Sequence, residues 1–428
     1  MSAQNKAKNI EMKEPLFREK NSTMTLILNP HEDIQLSHES FDILNQLENF
    51  AVASVKMPAE TNTPFGTVTY QYGDAYRFFL FQLHQASNLL EDVQFDDLEA
   101  QYVQQLHSAK QALTIILPFT HELQQCYQLQ LSIANLLVPK MMGLIDENAH
   151  RFLYRQQVKM IAQSHYLPNP AMLFSIQAVQ RSGKIWLHTH GLIRCQLTEL
   201  EILNVTKDTY NDFYYLIKHL AIQLVYLRLE KPNDPVEQTQ ILGAFNQQHP
   251  IVSHTIPWNQ ALKYYPNHAL GGTDDRQIDH HSLSNLIFIL LIDEHDEQQL
   301  VTADKASHLF KQDPLYTVPP LEIKREKLVA HEQFPLLLKA FNQHKDEPTW
   351  VPLVKISIPY GEHNLENVWF QLDELTNEMI IGKATHDAQH LPDIKTDTVA
   401  TFPLDQMIDW IIYTPEGTIT PNEAYRLI

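Results

Sequence analysis

Two histidines separated by one residue, His188 and His190, are the side chains of this sequence that point most directly to chemistry. They end an apolar run that predicts a β-strand over residues 185–190. Successive side chains of a strand point to opposite faces, so this spacing puts both imidazoles on the same face. Such a pair can offer two nitrogen ligands to a metal ion, or one acid–base group with an orienting partner.

The residues that follow the pair extend this pattern. Gly191 comes directly after His190, and after six further residues come Thr198, two residues and Glu201. This spacing is similar to that of zinc-dependent isopeptidases of the JAMM class, which have His-x-His-Pro, six residues, Ser, two residues and Asp. The resemblance implies zinc ligands at His188, His190 and Glu201, with Glu147 as the base that activates the bound water. Gly, Thr and Glu replace Pro, Ser and Asp of that pattern.

Two other interpretations of the histidine pair stay open at this point. The first, which we favour, is structural: the imidazoles pack and hydrogen-bond at a strand end beside Trp186 and Tyr166. The second is a metal or ligand pocket without catalysis, in which the histidines, Trp186 and Arg194 bind the ligand. Cys195, five residues after His190, is typical of a buried structural thiol.

A second polar cluster follows the Gly271-Gly272 loop. Carboxylates suit hard cations, and a histidine adds a ligand for zinc or iron. The interpretation we favour for this segment is a solvated acidic loop, and the metal hypothesis gains weight only if His281 faces His188. The cluster consists of Asp274, Asp275, Asp279, His280 and His281.

Composition limits the class of protein and of partner. The 428 residues predict two or three domains, and 44% apolar residues supply their cores. The net charge of -19 argues against nucleic acid or an anionic membrane as the main partner and favours a basic protein. Two cysteines exclude a disulfide framework and favour a reducing cytoplasm. The most apolar run, 286–292, is far too short to span a bilayer.

The order of predicted elements indicates an α+β fold, with mixed sheets flanked by helices and a small β-rich C-terminal domain. Residues 1–22 are expected to be a disordered tail. Residues 23–345 form an α/β region with a further split near 205, and the change of texture at Lys345–Pro348 predicts a β-rich domain over 346–428. Within the first region the patterns predict helices over 148–163 and 323–344. They also predict a polar connection that contains Pro232, Pro235 and Pro250.

Two stretches resemble known families. Residues 144–149, 186–195 and 199–202 resemble a bacterial family of unknown function that is built around a Trp-Leu-His-Thr-His-Gly-Leu core, over about residues 25–340. Residues from about 350 to 428 are similar to a second bacterial domain of unknown function. That similarity rests on Val368-Trp369-Phe370, Ile381-Gly382-Lys383, Leu391–Lys395, Val399–Pro403 and Ile408-Asp409-Trp410. Neither resemblance implies a reaction.

The sequence therefore predicts a cytoplasmic protein that works by binding more than by catalysis, such as an antidote or adaptor that covers a basic surface. The alternative is a metal-dependent hydrolase that uses His188 and His190. The first hypothesis needs no cofactor and the second needs zinc. The oligomeric state stays open.

Overall fold

The computed structural model describes residues 21–61, 63–86, 98, 100–120, 122–246, 249–279, 283–292, 298–312 and 314–428. The strands of these residues form three sheets with helices packed on them, which confirms the α+β class. The expected tail, residues 1–22, lies outside the described residues except for Asn21 and Ser22, which begin the first strand.

The first sheet is antiparallel throughout and has seven strands. They are β1 (Asn21–Ile27), β2 (Phe50–Lys56), β3 (Gly66–Tyr72), β4 (Ala75–Gln85), β5 (Gln111–Pro118), β6 (Gly143–Asp146) and β7 (Arg151–Tyr154). Their order is β2-β3-β4-β5-β1-β6-β7. The helices of this region are α1 (Pro58–Thr61), α2 (Ala100–His107), α3 (Leu123–Leu137) and α4 (Arg155–Gln163).

The prediction of a helix over residues 148–163 is wrong for the first half of that range. Residues 151–154 form β7, which pairs with β6 in a hairpin, and only 155–163 are helical. His150 takes the left-handed conformation, with φ of 46°, at the turn between the two strands. A non-glycine residue rarely adopts this backbone, so periodicity along the chain did not indicate the hairpin.

The second sheet is mixed. Its strands are β8 (Ser175–Arg181), β9 (Lys184–His190), β10 (Glu199–Val205), β11 (Thr239–Phe245), β12 (His249–Pro257), β13 (Ser284–Ile292), β14 (Gln298–Thr302) and β15 (Pro314–Tyr316). Their order is β15-β11-β12-β13-β10-β9-β8, with β14 also paired to β13. The pair β10–β13 is parallel. The helices are α5 (Tyr210–Glu230), α6 (Trp258–Ala261) and α7 (Thr273–Asp279).

The prediction of a polar connection is wrong, because two of these strands, β11 and β12, lie in that segment. β11 pairs with β12 and β12 pairs with β13, so this segment extends the second sheet. Pro250 is the second residue of β12 and Pro257 the last. Prolines are tolerated near strand ends because fewer ladder hydrogen bonds are lost there.

One hydrophobic core joins the first two sheets. It includes Met24 and Leu26 of β1, Leu187 of β9, and Phe213 and Leu216 of α5. The chain passes from the first sheet to the second between residues 154 and 175. The split that the sequence places near 205 therefore falls inside the second region, because α5 follows β10 directly and packs on it.

The C-terminal region is a six-stranded antiparallel sheet with two helices. These are α8 (Pro320–Glu332), α9 (Phe334–His344), β16 (Val351–Tyr360), β17 (Asn364–Leu375), β18 (Met379–Ala384), β19 (Val399–Pro403), β20 (Met407–Thr414) and β21 (Gly417–Ile419). The strand order is β19-β18-β17-β16-β20-β21. The single helix predicted over 323–344 is two helices that meet at Gln333, just before Pro335, which has no N–H to donate.

The core of this region begins before residue 346. Ala330, Phe334 and Leu337 of the two helices pack with Phe370 and Trp410 of the sheet. The indole Nε1 of Trp410 donates a hydrogen bond of 3.1 Å to the Ala330 carbonyl. A complete core therefore needs α8 and α9 as well as the strands of residues 346–428.

Candidate functional site

His188 and His190 lie on one face of β9, as their spacing predicts. Their ring centroids are 4.9 Å apart and the rings meet edge to face. Trp186 lies 4.4 Å from His188, and His150 stacks on His190 at 4.1 Å. These four rings, the ring line, run from the core to the surface: His188 is fully buried, His190 is 9% exposed and His150 is exposed. The two predicted site histidines are therefore packed among rings.

Glu201 lies beside the ring line. β9 and β10 are antiparallel, and Glu201 stands directly opposite His188 in their register. Its carboxylate accepts a hydrogen bond of 2.7 Å from Nη1 of Arg276, another from Nη2, and one of 3.0 Å from Trp186 Nε1. The side chains of Arg276 and Glu201 are 3% and 0% exposed. A carboxylate already neutralised by a buried guanidinium does not fit the role of a zinc ligand.

Arg276 was not identified from the sequence. It lies on α7, 75 residues after Glu201, and its guanidinium also lies 4.6 Å from the ring centroid of Trp258. No local pattern connects residues so far apart in the chain. The opposition of Glu201 and His188, in contrast, follows from pairing two consecutive predicted strands as an antiparallel ladder.

Glu199 is a half-buried carboxylate that no sequence pattern singled out. It accepts hydrogen bonds from the Thr189 hydroxyl at 2.6 Å, the Gly191 N–H at 2.9 Å and the Ile193 N–H at 3.3 Å. Burial raises its pKa to about 7, against the opposing effect of these hydrogen bonds. Gly191 has φ of 106°, and a Cβ there would approach the Leu173 carbonyl oxygen to 2.6 Å. Thr189 and Gly191 thus serve the turn that follows β9.

Arg194 forms a buried ion pair with Asp146. Its Nη1 and Nη2 lie 2.8 and 2.5 Å from the two carboxylate oxygens, and its guanidinium lies 5.1 Å from the ring centroid of Tyr127. Burial alone disfavours the charge, but Asp146 outweighs it and the pKa of Arg194 is raised above its usual value. Asp146 ends β6 and Arg194 follows β9, so this pair links the first two sheets. The role of Arg194 in a ligand pocket stays a prediction.

Glu147, the predicted base, belongs to the first sheet. It follows β6, and its carboxylate accepts a hydrogen bond of 2.5 Å from the Thr25 hydroxyl. Thr25 is also hydrogen-bonded to Thr114 at 2.7 Å. The structure therefore gives Glu147 a place in a polar row across β1 and β5.

The acidic cluster after Gly271 is partly described. Asp275 pairs with Arg181 through contacts of 2.6 and 2.9 Å and accepts the Gly271 N–H at 2.9 Å. His280 and His281 lie outside the described residues, as does the side chain of Asp279. Within the described part of the chain, no group of three His, Cys, Asp or Glu side chains is placed to hold a metal ion.

Cys195 is a buried free thiol, as its sequence context predicts. Burial raises its pKa to about 12, which keeps the thiol protonated and unreactive near neutral pH. The nearby pairs Glu201–Arg276 and Asp146–Arg194 each join segments that are distant in the chain. This arrangement can position strands and turns.

Comparison with known proteins places the chain in a family. Residues 22–168 match the N-terminal domain, and residues 176–288 the C-terminal domain, of a family described as protein of unknown function (DUF4026). Both matches lie inside the region that the sequence assigns to one family, and the boundary between them agrees with the change from the first sheet to the second. The assignment of residues 350–428 to a second domain family stays a prediction.

No curated protein and no solved structure matches the chain significantly. In the residues that the structure describes, none of the helices combines the length and apolar character that crossing a membrane requires. The two matched domains follow each other in the family's own order and together cover more than half of the chain, which therefore belongs to the DUF4026 family.

Proposed function

We propose that this protein binds a basic protein surface through residues 346–428, which we name the acidic module. The observation that supports this is the distribution of charge: the module has 14 Asp and Glu against four Lys and Arg. Its net charge of -10 is more than half of the chain's -19, although it is about a fifth of the residues. Eleven of the 14 carboxylates are exposed.

The exposed carboxylates lie at hairpin ends, in loops and along β17. They are Asp346, Glu347, Glu362, Asp373, Glu374, Glu378, Asp387, Asp393, Asp397, Asp405 and Glu416. Such a concentration of one charge repels itself within the module, and a partner of opposite charge relieves that repulsion. It also steers a basic partner during encounter, so that association is fast at low salt. An antidote or adaptor needs this property.

The hydrogen bonds of the two candidate carboxylates, Glu201 and Glu147, do not favour the alternative, a metal-dependent hydrolase. Glu201 accepts hydrogen bonds from Arg276 and Trp186, and Glu147 accepts one from the Thr25 hydroxyl. A cytoplasmic location is part of the proposal and is supported by the chemistry of the cysteines. Cys126 and Cys195 are both free and buried, an arrangement that a reducing compartment allows.

The proposal is tested by capturing partners with the full chain and measuring the association rate of each by surface plasmon resonance. We expect a basic partner whose association rate falls at least about tenfold between about 50 and 300 mM salt. The variant Asp373→Asn/Glu374→Gln/Glu378→Gln should lower the rate at low salt. The matched control Asp42→Asn/Glu48→Gln/Asp208→Asn removes three exposed carboxylates elsewhere and should leave the rate nearly unchanged.

Two results would count against the proposal. The first is a partner whose association rate does not respond to salt. The second is an equal loss of rate in the two triple variants, which would mean that overall charge, and not the acidic module, governs binding.

A further inference from the structure

We infer that a cleft at the start of the acidic module receives an arginine side chain of the basic partner. The inference rests on the proposed function and names the contact that would give it specificity. The cleft lies between the end of α9 and the start of β16, at the Lys345–Pro348 segment where the sequence changes from helical to strand-rich patterns. Its volume is about 200 Å³.

Aromatic, aliphatic and charged side chains line the cleft together. Phe341 and Trp350, both half-buried, are among them, as are Leu372 and Ile412 of the sheet. Asp346 and Glu347 also line the cleft and are exposed, and we call these two carboxylates the rim. Lys345 also lines the cleft, and the two carboxylates outweigh its single positive charge. An occupant must therefore combine an apolar stem with a cationic end.

Trp350 and the rim carboxylate Glu347 are held together by contacts within the protein itself. His344 stacks on Trp350 with ring centroids 3.7 Å apart and planes within 6° of parallel. Nδ1 of His344 lies 3.0 Å from the Glu347 carboxylate, and the Trp350 N–H donates to the Glu347 carbonyl at 3.0 Å. A site preorganised in this way loses less entropy when it binds.

Arginine fits these features better than lysine. Its aliphatic stem can pack between Phe341 and Trp350, as long charged side chains do on apolar surfaces. Its planar guanidinium can lie against an aromatic ring and form paired hydrogen bonds with a carboxylate, whereas an ammonium group is a more strongly hydrated point charge. Aromatic residues and arginine dominate the binding energy of protein interfaces, often in pockets of this kind.

The test is fluorine NMR of the full chain labelled with 5-fluorotryptophan, whose five tryptophans give five signals. The Trp350→Phe variant assigns the signal of Trp350. The probe is acetyl-Gly-Arg-Gly-amide, and the control is the same peptide with citrulline, which has the shape of arginine without its charge. We expect the Trp350 signal to shift with the arginine peptide and to respond at least about tenfold more weakly to the citrulline peptide.

The rim is tested by Asp346→Asn/Glu347→Gln, which should weaken binding of the arginine peptide about threefold to tenfold. The control Glu362→Gln/Asp405→Asn removes two exposed carboxylates elsewhere in the module and should change it little. Equal responses to both peptides, or a shift of another tryptophan alone, would overturn the inference. A captured partner could bind with the expected salt dependence but equally well to the wild type and to Trp350→Ala. That result would overturn the inference about the cleft and would still support the proposed function. Failure to capture any basic partner would count against both.

Discussion

Charged side chains have opposite roles beside the ring line and in the acidic module. Beside the ring line, Glu201 is buried and pairs with Arg276, which lies on the helix α7, far along the chain. In the module, eleven carboxylates are exposed and outnumber the basic residues near them. Glu201, a residue type suited to catalysis, thus has a structural role in the first region. The exposed acidic residues of the second region, which match no catalytic motif, are the stronger functional candidates.

The difference shows what decides the role of a charged side chain. A buried charge is tolerated only with a partner and hydrogen bonds, so its binding capacity is used within the protein. An exposed charge pays no such cost and keeps its capacity for another molecule. This contrast predicts three effects of decreasing size.

The largest effect is expected from truncation. A fragment of residues 317–428, which contains α8 and α9, should fold and unfold cooperatively in urea. A fragment of residues 346–428 should lose most of its structure, because Ala330, Phe334 and Leu337 are missing from its core. Circular dichroism with urea titration checks both fragments. A cooperative transition in the shorter fragment would show that the strands suffice, and that the boundary near 346 is a true domain boundary.

The next effect concerns the buried pair beside the ring line. Arg276→Met should lower the free energy of unfolding by about 3–5 kcal/mol, because it leaves the Glu201 carboxylate buried without its partner. The double variant Arg276→Met/Glu201→Gln removes that charge but keeps an acceptor for Trp186, and it should recover about 2 kcal/mol. Urea unfolding of the full chain measures both. A double variant no more stable than the single one would mean that Arg276 acts by packing on Trp258 and not by charge.

The smallest of the three effects is a pH dependence at Glu199. Its pKa is raised by burial from 4.5 to about 7, so the folded state holds a proton that the unfolded state releases. The proton on Glu199 contributes fully to the free energy of unfolding below about pH 4.5. This contribution is lost as the pH rises to about 7. Relative to Glu199→Gln, the unfolding free energy of the wild type should therefore fall by about 3 kcal/mol across this range.

Urea titrations of both proteins at several pH values test this expectation, with the exposed Glu230→Gln as a control that should keep the wild-type slope. Identical pH profiles for the wild type and Glu199→Gln would contradict the raised pKa. They would also weaken the contrast between buried and exposed carboxylates, because Glu199 would then behave as if it were in water.

Several elements could be predicted because their signals are local. The strand β9 and the β-rich character of residues 346–428 agree with the predictions from the sequence. The pattern failed where pairing decides the outcome. The periodicity predicts a helix where β7 lies, and the composition predicts a polar connection where β11 and β12 lie. Each of these strands is stabilised by neighbours that composition does not reveal.

The same division holds for the candidate site. The shared face of His188 and His190 follows from the sequence, since strand geometry alternates side chains whatever surrounds them. The excess of acidic residues after residue 346 is equally visible there. The pairing of Glu201 with Arg276 and of Asp146 with Arg194, and the cleft that Trp350 and Phe341 line, are visible only in the fold. Periodicity depends on neighbouring residues, whereas the pairing of buried charges depends on which distant segments the fold brings together.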